Sequence, residues 1–72
     1  MPEKIRQLKS KLRKAGFTYR PAKGSHTVWF DPSDPENDFT FCGHDGDDAD
    51  KYQERAVRNM LKRAKEKRQW NP

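Results

Sequence analysis

The chain has 72 residues, of which 31% are hydrophobic and 38% charged, with a formal net charge of +5. A chain this short hides only about 60% of its extended surface on folding, which allows one thin core and one domain over residues 1–72. It has no apolar run of membrane-span length, no apolar signal segment at its start and one cysteine, Cys42; these exclude an integral membrane protein and an internal disulfide framework, and the expected location is the cytoplasm.

Ile5, Leu8, Leu12 and Ala15 recur at spacings of three and four, which predicts an amphipathic helix over about 3–15. Pro2 suits an early helical position, and Glu3 favours the positive N-terminal end. Gly16 stops the helix as a left-handed cap. The period then becomes two. Phe17 and Tyr19, Val28 and Phe30, and Phe39 and Phe41 each alternate with their neighbours, predicting strands over about 17–21, 26–31 and 38–42. On this phase Val28 and Phe30 turn toward the helices, and Trp29 lies on the opposite, open face. Pro21 closes the first strand or sets it on an edge. Asp31 to Asp38 reads as a loop, and Gly43 to Ala49 as a second. Asp50 is a plausible N-cap with Gln53 three residues on, as in a capping box. Tyr52, Ala56, Val57, Met60, Leu61 and Ala64 then mark a second amphipathic helix over about 51–67. The order is α-β-β-β-α. The expected class is α+β, with two helices packed on one face of a three-stranded antiparallel sheet.

The charge is segregated. Residues 1–30 carry eight basic and one acidic side chain, residues 31–50 eight acids and no Lys or Arg, and residues 51–72 eight basic and two acidic side chains. Basic ends suit an anionic partner such as nucleic acid; solvated helix faces account for them equally well.

The acidic loop does not fit a calcium motif, because Asp50 and Ala56 stand where the pattern needs Gly and a bidentate Glu. Its carboxylates are expected at the N-terminus of the second helix. Cys42, His44 and His26 are too few for a closed zinc site. No metal and no cofactor is called for. Lys23-Gly24-Ser25-His26 is the sharpest feature. Its glycine lets the backbone approach a phosphate, Lys23 and Ser25 offer donors, and histidine is the residue type that exchanges protons near neutral pH.

Lys14-Ala15-Gly16-Phe17, a short strand, then Lys23-Gly24-Ser25-His26 leading into Thr27-Val28-Trp29-Phe30 resembles the HicA family of bacterial toxins. The resemblance covers about residues 5 to 64. It implies a fold like a double-stranded-RNA-binding domain, a metal-independent endoribonuclease acting on mRNA, and a HicB-like antitoxin as partner. It implies a catalytic role for His26. Three features depart from the family pattern: the longer acidic loop at 31–38, His44 followed by an acidic segment, and Lys51-Tyr52-Gln53-Glu54-Arg55 at the start of the second helix. In the expected mechanism His26 provides acid–base catalysis, Lys23, Gly24 and Ser25 hold a phosphate, and Lys11, Lys14, Arg55 and Arg58 add electrostatic affinity for RNA. Trp29 either stacks a base or shields the sheet. The alternatives are a non-catalytic RNA-binding module of the same fold and an interaction protein that docks through its open sheet face and acidic loop.

Overall fold

The computed structural model describes residues 3–24 and 26–69, and for 68 and 69 the backbone alone. The elements are α1 (Ile5–Lys14), β1 (Thr18–Pro21), β2 (Thr27–Asp31), β3 (Asp34–Phe41) and α2 (Lys51–Gln69). The sheet is antiparallel in the order β1-β2-β3. The α+β arrangement of two helices and three strands is the expected one.

Both helix ends that matter for the chain path follow from local chemistry. Gly16 sits at φ 95°. The Gly16 N–H donates to the Arg13 carbonyl and the Phe17 N–H to the Leu12 carbonyl, each at 3.0 Å. These paired bonds are a Schellman cap, and its customary apolar contact falls on Leu12 and Phe17. Both are buried in the core, so the cap that ends α1 also delivers the chain to the sheet. At the start of α2 the Gln53 N–H donates to Asp50 Oδ1 at 2.7 Å, and the Asp50 N–H to Gln53 Oε1 at 3.0 Å. That is the reciprocal capping box expected from the spacing.

The phase of the sheet is opposite to expectation. Trp29 is 2% exposed and Phe41 1%, whereas Val28 and Phe30 are half-buried on the other face. Val28, Trp29 and Phe30 are three consecutive apolar residues, so alternation alone fits either phase. Cross-strand pairing decides it: Trp29 lies opposite Tyr19 on β1 and Phe39 on β3. Turning the largest side chain inward removes the most apolar area from water. The core joins Trp29 and Phe41 to Ile5, Leu8 and Leu12 of α1 and to Val57, Met60 and Ala64 of α2. Trp29 is therefore no stacking platform on the open face.

The segment Asp31–Asp38 is not a long loop. Only Pro32 and Ser33 lie between β2 and β3, and the register shifts between Phe30 and Asp31. Asp31 accepts hydrogen bonds from the Ser33 N–H at 3.0 Å and the Ser33 hydroxyl at 2.8 Å, closing the turn. Asp34 faces inward and is held by Arg63 through Nε at 2.9 Å and Nη2 at 3.3 Å. Buried Asn37 donates from Nδ2 to the Met60 carbonyl at 3.0 Å. These polar residues look like loop chemistry because their side chains are polar; in the fold they close the hairpin and anchor α2 to it.

Candidate functional site

The Lys23–His26 turn joins β1 to β2. Its backbone is fixed by hydrogen bonds from the Ala22 N–H to the His26 carbonyl at 2.9 Å and from the His26 N–H to the Lys23 carbonyl at 3.4 Å. Gly24 takes φ 70°, and a Cβ added there meets no atom within 4 Å. The glycine is thus required by conformation rather than by space. Lys23, Gly24 and His26 are all exposed; Ser25 lies outside the described residues. His26 precedes the first residue of β2, and since Val28 faces away from the helices, the parity His26 shares with Val28 keeps it off the core. Neither the His26 imidazole nor the Lys23 ammonium has a hydrogen bond or ion pair among the described residues.

The other expected RNA contacts do not gather around this turn. Lys11 is paired with Glu3 at 2.7 Å. It lines a shallow groove between α1 and α2 together with Arg58. Arg55 and Arg58 are exposed on α2, three residues apart on one ridge. Lys14 lies at the C-terminal end of α1, beyond the start of β1. Four strand residues, about 13 Å of chain at ~3.3 Å each, separate that end from the turn. The expected basic residues therefore fall in three separate places: the turn, the α1–α2 groove with its ridge on α2, and the end of α1.

The acidic loop after β3 is bound to the start of α1, not only to α2 as expected. The carbonyls of Asp47 and Asp45 accept from the N–H groups of Ile5 and Arg6 at 3.0 and 3.1 Å, and the Ala49 N–H donates to the Glu3 carbonyl at 2.7 Å. Lys4 pairs with Asp48, and Lys9 with Asp45 at 2.6 Å. The loop thus supplies acceptors to helical N–H groups that have no partner within the helix. The reciprocal bonds of His44 and Asp47, both 3.0 Å, close its tip. Of the four aspartates, only Asp50 caps α2. Cys42 and His44 are exposed. Among the described residues no three His, Cys, Asp or Glu side chains are placed to hold a metal ion. Trp70 lies outside the described residues.

A fourth cationic group was not singled out from the sequence. Arg6, Lys9 and Arg13 recur on one flank of α1 and overhang β1 and β2. The spacing of three and four was visible, but with Trp29 assigned to the open face nothing marked that flank as the wall of a cleft.

No helix among the described residues is long and apolar enough to cross a membrane. No curated protein and no solved structure gives a significant match to the chain. A family model described as the HicA toxin of bacterial toxin–antitoxin systems matches residues 5–65, a span that takes in α1, the whole sheet and most of α2. The chain belongs to the HicA toxin family, and as the toxin of such a system it implies an antitoxin partner.

Proposed function

We propose that this toxin is an endoribonuclease that cleaves mRNA without a metal, with His26 as the catalytic residue. The observation that carries the reading is the exposed turn in which Lys23, Gly24 and His26 stand together, the Lys23 ammonium and the His26 imidazole with no hydrogen bond or ion pair among the described residues. Catalysis rests on one imidazole. It takes the proton of a ribose 2′-hydroxyl as that oxygen attacks the adjacent phosphorus, or gives a proton to the departing 5′-oxygen. Such proton transfer is worth about 10²–10⁴-fold in rate. Lys23 and the backbone at Gly24 and Ser25 hold the phosphate. Arg55, Arg58, Lys14 and Lys11 raise the affinity for the polyanion without sequence preference, Lys11 least because Glu3 already pairs with it. The partner that silences the toxin is a HicB-like antitoxin.

The test is expression in a bacterial host. Wild type is expected to arrest growth and deplete mRNA, His26→Ala at equal protein level to do neither, and co-expression of a HicB-like antitoxin to restore growth. Equal arrest by both chains rejects His26.

The runner-up is a non-catalytic RNA-binding module. It is favoured by the lack of any described side chain that orients the imidazole, since a general acid or base is usually held in place by a neighbour. RNA binding without cleavage, unchanged in His26→Ala, selects it.

A further inference from the structure

Between α1 and the β1–β2 hairpin lies a cleft of about 390 Å³, within the size range of small-ligand sites. Its roof is cationic: Arg6, Lys9 and Arg13 overhang it from α1. Its floor is aromatic and polar: Tyr19, Thr27 and Trp29. The Tyr19 and Trp29 rings stack with centroids 4.9 Å apart, and Tyr19, on the edge strand, is 48% exposed.

Two polar side-chain atoms of the described residues are buried without a hydrogen-bond partner, Thr27 Oγ1 and Trp29 Nε1. Both residues line the floor of this cleft. They lie two residues apart on β2 and so on one face. Buried polar groups in native proteins are nearly always paired, and leaving one unpaired costs free energy. Two unpaired groups side by side, beneath three cations and beside a half-exposed ring, are the marks of a surface shaped for a ligand.

We propose that this cleft is a nucleotide subsite, separate from the Lys23–His26 turn, that receives one unpaired nucleotide of a bound RNA strand. Arg6 and Arg13 take the phosphate. The base stacks on Tyr19 in place of the Arg13 guanidinium, which sits 5.8 Å from the Tyr19 centroid. The Arg13 guanidinium also lies 5.7 Å from the Trp29 centroid, and its displacement opens the way for polar atoms of the nucleotide to meet Thr27 Oγ1 and Trp29 Nε1. Thr27 follows His26 directly in the chain but lies on the face of Trp29 rather than that of Val28, so a strand held here reaches the Lys23–His26 turn only by passing around the end of the β1–β2 hairpin. Asp45 also lines the cleft and occupies Lys9 at 2.6 Å. It acts as an internal competitor that a phosphate displaces. The assignment rests on the RNA-cleaving reading for its ligand class and adds the place where a base is gripped.

The experiment uses the full chain carrying His26→Ala, which prevents cleavage, and Trp70→Phe, which leaves Trp29 as the reporter tryptophan. Hexauridylate is titrated while Trp29 emission is followed. Binding is expected to change that emission. Tyr19→Ala is expected to weaken binding about 5- to 150-fold, the loss typical of one stacked base. Arg6→Gln with Arg13→Gln is expected to flatten the dependence of log affinity on log salt by about 1.4, or ~0.7 for each phosphate contact to a single strand. Thr27→Val is expected to weaken binding without lowering Tm, since it replaces an unpaired hydroxyl by a methyl of similar shape. Asp45→Asn is expected to strengthen binding. RNA binding that is unchanged in all of these variants overturns the subsite and leaves the ribonuclease reading standing. A hexaglutamate peptide that binds in preference to hexauridylate also overturns it, and makes the cleft a protein-docking site. No RNA binding even at low salt overturns both the subsite and the reading beneath it.

Discussion

Replacing Gly24 by alanine separates two reasons for a glycine in the Lys23–His26 turn. Gly24 holds φ 70° with open space where a Cβ would stand. Alanine therefore meets no clash, and the cost is conformational. A left-handed backbone costs an ordinary L-residue about 1–2 kcal/mol. A domain of this size loses roughly 4–8 °C of Tm for each kcal/mol, so Gly24→Ala is expected to melt about 4–16 °C below wild type. Asparagine tolerates the left-handed region better, so Gly24→Asn is expected to lose less. Activity orders the two differently. If the backbone at Gly24 approaches a phosphate, any Cβ obstructs it, and both variants lose cleavage by similar factors at a temperature where both are folded. Circular dichroism melts and a cleavage assay on the same samples give the two rankings. An unchanged Tm in Gly24→Ala, or asparagine more damaging to Tm than alanine, refutes the claim that this turn needs a positive φ.

Other substitutions test the framework that positions the turn. Leu12 is 0% exposed and serves both the core and the cap of α1, so Leu12→Ala is expected to cost about 2–5 kcal/mol in urea unfolding. That is a large share of the ~4–11 kcal/mol total for a chain of this length. Asp50→Ala removes the carboxylate that accepts from the Gln53 N–H; a loss of about 1 kcal/mol is expected from the same measurement. Asp34→Ala is also expected to cost about 1 kcal/mol, because Asp34 is buried but its partners Arg63 and Lys67 are half in solvent. Part of that loss should disappear in high salt.

Much of the fold was legible because local signals agreed. The stripe Ile5, Leu8, Leu12, the stop at Gly16 and the pair Asp50 and Gln53 each act over a few residues, and each formed as read. Readings failed where the deciding contact is distant in sequence. Val28-Trp29-Phe30 is ambiguous until Phe39 is brought opposite Trp29. Asp34 and Asn37 look like loop residues until Arg63 and the Met60 carbonyl reach them from α2. The charge pattern was visible as three blocks, but not how the negative block is used. Asp45 pairs with Lys9 within α1, Asp48 with Lys4 just before it, and Asp34 with Arg63 and Lys67. The acids of residues 31–50 thus act largely as internal ties, and the Lys23–His26 turn lies beyond the ion pairs they form. The motif at Lys23–His26 stood out because its residue types are few and adjacent. The cleft beneath α1 did not, because its floor comes from β1 and β2 and its roof from a helix flank that reads as plain solvated charge.

The central claim is that His26 moves a proton during metal-free cleavage at a ribose 2′-hydroxyl. The most direct measurement is single-turnover cleavage of one defined RNA in the presence of a chelator, by wild type and by His26→Ala, with a matched RNA bearing a single 2′-deoxy residue at the cleaved position. Wild type is expected to cleave with the chelator present, His26→Ala to lose about 10²–10⁴-fold in rate, and neither to cut at the deoxy position. Cleavage that His26→Ala retains, or that the deoxy substrate undergoes at the same bond, contradicts it.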